Sequence, residues 1–135
     1  MKTILIVEDI EPNRELLAQL LEDDHRLVFA EDGVAALARV AETKPDLILM
    51  DMQLPGMDGL AATALLKQDP LTAAIPVIAL TALAMKADRE KCHAAGCDGY
   101  IAKPLRYQEL YVAINDLLVA GGKFAACQLQ VEDTK

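Results

Sequence analysis

Basic residues are scarce in this 135-residue chain: 13 Lys and Arg face 21 Asp and Glu, a formal net charge of −8. That balance argues against nonspecific binding to nucleic acid or to anionic membranes, since both need a cationic face. Cysteine is sparse as well. Cys92, Cys97 and Cys127 are odd in number and irregularly spaced, which argues against a disulfide framework and favours a reducing compartment. Cys92-His93 and Cys97 match no usual zinc pair and lack a four-ligand set. They read as free thiols, buried or half-buried. Long apolar runs are missing. The longest, Ile75 to Met85, contains Pro76 and Thr81 and is about half the length a spanning helix needs. The N-terminus meets Glu8 and Asp9 before a signal-peptide apolar region can form. A soluble, cytoplasmic protein is expected. Neither G-x-x-x-x-G-K-S/T nor G-x-G-x-x-G occurs, so ATP or a dinucleotide would lack its usual cradle.

What is present is a globular mixture, 53% apolar and 25% charged, of a length that suits one domain. Short apolar runs recur at Ile4–Val7, Leu27–Ala30, Leu47–Met50, Val77–Leu80 and Tyr100–Ala102. They are too short for helices, and their continuous apolarity predicts strands covered on both faces. Helical patterns lie between and after them. Leu16, Leu17, Leu20 and Leu21 form a stripe behind Pro12, which a first helical turn accepts. Val34, Leu37, Ala38 and Ala41 form a second stripe; Leu60, Ala61, Ala64 and Leu65 form a third, stopped by Asp69-Pro70. Met85–Ala95 is only weakly amphipathic, with Gly96 as its C′ residue, and Leu110, Ile114, Leu117 and Leu118 form the last stripe. Strands alternating with helices predict a parallel sheet wrapped on both sides. The domain is expected over residues 1–120, with 121–135 a loosely packed or flexible tail.

Ligands bind at the C-terminal ends of strands in open α/β sheets. Here the first strand ends in Glu8-Asp9, the third in Asp51, the fourth in Thr81 and the fifth in Lys103-Pro104. Any one of these has an ordinary explanation as a turn, cap or surface residue. Together they place three carboxylates, one ammonium and one hydroxyl at a single sheet edge. Carboxylates held 4 Å apart repel by about 4 kcal/mol per pair at an effective dielectric near 20, so such a cluster needs neutralising. Oxygen-only ligands point to a hard divalent cation, Mg²⁺ before Zn²⁺.

The sequence resembles a response-regulator receiver domain of bacterial two-component signalling. The resemblance rests on Ile4-Leu5-Ile6-Val7-Glu8-Asp9, on Asp46 through Asp51 to Gly59, on Pro76-Val77-Ile78-Ala79-Leu80-Thr81-Ala82 and on Gly99-Tyr100-Ile101-Ala102-Lys103-Pro104, in the family order. Through Ala82-Leu83-Ala84-Met85-Lys86 it is also similar to the stand-alone cell-division regulators of that family. The resemblance implies a flavodoxin-like, doubly wound five-stranded parallel sheet of order 2-1-3-4-5 with five helices. It implies Asp51 as phosphoacceptor and Mg²⁺ held by Asp9, Asp51 and the backbone carbonyl of Gln53, with Glu8 acting mainly through water. Lys103 would pair with the phosphoryl group or with Asp51, and Thr81 and the backbone N–H of Ala82 would donate to phosphoryl oxygens. Pro104 matches the family proline that follows a cis peptide bond and aims Lys103. Thr81 would move on phosphorylation, with Tyr100 filling the space it leaves, and the surface of residues 84–118 would repack toward a downstream protein. In the family, the positions two after the phosphoacceptor and two after the Thr tune hydrolysis; here they are Gln53 and Leu83.

The implied partners are a histidine kinase or a histidine phosphotransfer protein, with no nucleic acid and no membrane. Three other readings compete. A receiver excised from a hybrid histidine kinase would carry the same motifs. An aspartate-nucleophile phosphatase of the haloacid dehalogenase type needs a second Asp two positions after the nucleophile, where Gln53 stands. A degenerate binding module would lack some of the acids, the Thr or the Lys, all of which are present. The expectation is therefore a signalling switch that catalyses only its own phosphorylation and slow dephosphorylation.

Overall fold

The computed structural model describes residues 2–54, 56–81, 86–102 and 107–120. Five strands alternate with five helices: β1 (Lys2–Val7), α1 (Glu11–Leu21), β2 (His25–Ala30), α2 (Gly33–Thr43), β3 (Leu47–Asp51), α3 (Gly59–Gln68), β4 (Val77–Thr81), α4 (Lys86–Ala95), β5 (Gly99–Ala102) and α5 (Tyr107–Ala120). All strand pairs are parallel and the sheet order is β2-β1-β3-β4-β5. This is the flavodoxin-like arrangement that the family resemblance implies. The expected tail at 121–135 lies outside the described residues.

The central strands are buried because nearly every residue in them is apolar. Ile4–Val7, Leu47–Met50 and Val77–Leu80 lose all contact with solvent. One set of their side chains packs on α2, α3 and α4; the alternate set packs on α1 and α5. Fully burying each Leu, Ile or Val contributes roughly 1.5–3 kcal/mol. The edge strand β2 is only half-buried. That explains why it begins two residues before the apolar run that marks it in the sequence: an edge strand needs no continuous apolarity.

Local signals fix the helix ends. Asp32 accepts from Ala35 N at 2.7 Å and Asp58 from Ala61 N at 2.8 Å, each capping a helix N-terminus. Pro12 occupies the first turn of α1. Two predicted faces are corrected. In α2 the buried residues are Gly33, Ala36 and Val40, while Val34, Ala38 and Ala41 face solvent. In α3 they are Gly59, Ala62, Thr63 and Leu66, while Ala61 and Leu65 are exposed. Both helices are apolar around most of their circumference, so periodicity did not select a face. In α1, Leu16 likewise lies outside the buried stripe of Leu17 and Leu21. No helix among the described residues is long and apolar enough to cross a membrane.

Candidate functional site

β1 and β3 are neighbours at the centre of the sheet, with Val7 opposite Met50. Their C-terminal ends therefore emerge side by side, and the residues that follow are acids. Glu8, Asp9 and Asp51 each place a carboxylate oxygen within 4.8 Å of the others. Glu8 is 1% exposed and Asp51 2%, so two of the three sit where water screens them poorly.

Backbone contacts hold the cluster. Glu8 N donates to Ala30 O at 3.0 Å, which extends the β1–β2 ladder past the strand. Arg14, on the second turn of α1, donates from Nη1 to the Glu8 carbonyl at 2.9 Å. Sequence reasoning missed that contact, because nothing in the spacing of Arg14 and Glu8 marks it. Asp51 Oδ1 accepts from Gln53 N at 2.9 Å, an Asx-type turn that folds the chain directly after β3. Met52 N donates to Leu80 O at 3.0 Å, tying the same turn to β4.

Gly59 is required by this packing. A Cβ there would lie inside van der Waals contact of the Asp51 carbonyl oxygen and 2.8 Å from Met52 Cα. Gly59→Ala must therefore displace the backbone that carries Asp51. It is expected to cost about 1–3 kcal/mol, the usual range for overpacking, in urea unfolding. A variant as stable as the parent would show that the α3 N-terminus shifts freely.

β4 lies beside β3, with Leu80 opposite Asp51 and Thr81 one residue further on. Thr81 is buried at the same end of the sheet as the three acids. Tyr100 of β5 pairs with Ala79 and Ala102 with Thr81. Side chains alternate along a strand, so Ala79, Thr81 and Tyr100 share one face of the sheet. Tyr100 is buried there in the cluster of side chains under α3 and α4. The structure thus brings Glu8, Asp9, Asp51 and Thr81 to one sheet edge, with Gln53 in the turn that follows. Ala82, Leu83, Lys103 and Pro104 lie outside the described residues.

The donor set suits a hard cation. Three carboxylates supply only oxygen, and their separations are within what a small ion bridges. In doubly wound α/β proteins ligands bind outside the carboxyl ends of the strands, and the acidic pocket at the ends of β1 and β3 lies there.

Comparison with known proteins narrows the class to one family. Residues 4–115 match the response regulator receiver domain, and the chain belongs to that family, the receivers of two-component systems. It is 42% identical over 118 residues to the polar-differentiation response regulator DivK of Brucella anthropi, covering 87% of this chain and 96% of that protein. DivK of Brucella ovis matches over the same extent, also at 42% identity. Among solved structures, the signal receiver domain of a histidine kinase from Syntrophus aciditrophicus superposes with a TM-score of 0.83 at 35% identity, covering 89% of this chain and 92% of that one. The receiver domain of a sensor histidine kinase from Pseudomonas aeruginosa, solved with a magnesium ion coordinated in its active-site cleft, gives 0.79 at 35% identity over 88% of this chain and 98% of that one.

Proposed function

We propose that this chain is a stand-alone response regulator that takes a phosphoryl group onto Asp51 from a phosphohistidine of a kinase or phosphotransfer protein. The observation that carries the reading is the meeting of Glu8, Asp9 and Asp51 oxygens at the ends of β1 and β3, with Thr81 on the adjacent strand. The likeness to the DivK relatives, 42% identical over 118 residues, is what supports the single-domain reading.

In the transfer, one Asp51 oxygen forms a bond to phosphorus as the phosphorus–nitrogen bond of the donor breaks, and the imidazole nitrogen keeps the electron pair. A carboxylate is a weak nucleophile, so positioning and charge neutralisation supply most of the acceleration. The turn bond from Gln53 N orients the Asp51 carboxylate. Asp9 and Asp51, with the Gln53 carbonyl, would hold Mg²⁺, and Glu8 would act through water. When bound, the ion neutralises the acids and the incoming phosphoryl oxygens. The Thr81 hydroxyl, the Ala82 N–H and the Lys103 ammonium would stabilise charge on those oxygens. Lys103 would be aimed by a cis bond to Pro104.

Thr81 and Tyr100 share a sheet face, which suits a coupled move of the two when the phosphoryl group arrives. The output is then a shift between two pre-existing packings of the surface over residues 84–118, read by a downstream protein. The protein signals and does not turn over a substrate.

Chelation tests the cation requirement. With a small acyl-phosphate donor, phosphoryl uptake is expected in Mg²⁺ and is expected to stop when EDTA is added. Uptake that ignores EDTA would contradict the acidic pocket's role. The phosphorylated form is expected to last minutes or longer, because Leu83 cannot orient a water and such assistance is typically worth about 10²–10⁴-fold. Timing phosphate release from the isolated protein checks this; decay within seconds would contradict it.

A further inference from the structure

The geometry points to Cys92 and Cys97 as an oxidation site, a dithiol that hydroperoxide converts to a reversible internal disulfide. The inference is independent of the phosphoryl chemistry.

The argument starts from how α4 ends. Gly96 has a φ of 106°, a conformation that glycine adopts at little cost. Gly96 N donates to His93 O at 3.0 Å, and Cys97 N donates to Cys92 O at 3.1 Å. These two bonds are the paired bonds of a Schellman motif, with Gly96 at C′, Cys97 at C″ and Cys92 at C3. That motif brings the C3 and C″ side chains into contact, and an apolar pair usually fills the two positions. Here both are thiols, set side by side at the C3 and C″ positions and close enough to act on each other.

The pair is polarised. The Cys97 thiol donates to the Cys92 sulfur, which holds Cys92 below its ordinary thiol value, while the same bond and burial push Cys97 up. With the two thiols side by side at the end of α4, Cys92 is assigned the attack on the oxidant and Cys97 the second step. A third polar group faces them. Thr63 of α3 is fully buried and its hydroxyl makes no hydrogen bond of ordinary geometry, although it lies close enough to ease the Cys97 thiol slightly downward. It stands ready to bond an oxidised sulfur.

Access comes through α4. Cys92 is 4% exposed and Cys97 8%, so both are buried and an oxidant reaches them when the helix end opens. Among the described side chains of α4, only Cys92 is buried, which leaves the helix end lightly held and open to local fluctuation. The chemistry balances in two steps. Cys92 thiolate attacks one peroxide oxygen as the oxygen–oxygen bond breaks, giving a sulfenic acid and hydroxide, and the hydroxide takes up from solvent the proton that Cys92 had lost, leaving water. Cys97 then attacks that sulfur, forming the sulfur–sulfur bond and releasing a second water. A thiol reductant reverses it by exchange. The bond would tie the last turn of α4 to the start of β5, beside the cluster that holds Tyr100.

The test uses the full chain and hydrogen peroxide. Trypsin cuts after Lys91, and Pro104 protects the Lys103 bond, so both cysteines fall in one peptide over residues 92–106. After peroxide treatment and blocking of free thiols, that peptide is expected to be lighter by two hydrogen atoms and to carry no block. Dithiothreitol is expected to restore both thiols. In Cys97→Ala, which keeps the helix but removes the resolving thiol, dimedone is expected to label Cys92 several-fold more than in the parent. Equal labelling in both proteins would overturn the inference. So would a parent in which Cys92 and Cys97 remain blockable, become separately over-oxidised, or link to Cys127 instead.

Discussion

Asp51→Asn is expected to abolish phosphoryl uptake while leaving the fold intact. The substitution keeps the size of the side chain and an oxygen that can accept the Gln53 N–H, so the turn after β3 survives. It removes the only proposed nucleophile. It also removes one of three carboxylates that converge within 4.8 Å, and with it a cation ligand. The two losses separate in experiment. A ligand that binds only the native state stabilises it by about 2.7 kcal/mol at 100 times its Kd. Mg²⁺ is therefore expected to raise the unfolding midpoint of the parent clearly and that of Asp51→Asn far less. A variant that gains the parent's full Mg²⁺ stabilisation would move the cation away from Asp51. Turnover of p-nitrophenyl phosphate by the parent would instead favour a phosphatase.

Lys67→Met is expected to destabilise the fold by about 3–5 kcal/mol, the range found when one partner of a buried ion pair is removed. Lys67 Nζ lies 2.8 Å from Asp98 Oδ2, 3.0 Å from Ala73 O and 2.7 Å from Ile75 O. Asp98 Oδ2 also accepts from Val77 N at 2.9 Å, and Asp98 N donates to Val77 O. One ammonium thus fastens α3 to the connection before β4 and to the start of β5. Met keeps the stem that packs on Gly96 but leaves the Asp98 carboxylate buried without its cation. Urea unfolding measures the loss, and adding Asp98→Asn is expected to recover part of it, since removing both charges costs less than removing one. A loss below about 1 kcal/mol would place this pair with exposed salt bridges, which contribute little.

Different parts of the molecule were legible in the sequence to different degrees, for physical reasons. The strands β1, β3 and β4 stand out because a strand covered on both faces must be apolar throughout. The acids show because they interrupt those runs at their C-terminal ends, where the chain leaves the core. The stop at Gly96 is a local event, written in a few consecutive residues, whereas the bonds that make caps of Asp32 and Asp58 came only with the structure. The buried faces of α2 and α3 were not legible, since Val34 and Leu65 look as apolar as the residues that pack. Lys67 and Asp98 are far apart in the chain, and only the closed fold joins them. The Cys92–Cys97 contact lies between: the Gly96 stop announces the motif, yet the meeting of the two thiols follows only once both turn bonds are seen.

The most direct test is to find where the phosphoryl group goes. The parent is incubated with Mg²⁺ and a small acyl-phosphate donor, and the added mass is mapped by peptide fragmentation. One phosphoryl group on Asp51 is the predicted result. A phosphoryl group on any other side chain, or none at all under conditions where Mg²⁺ stabilises the fold, would contradict the central claim.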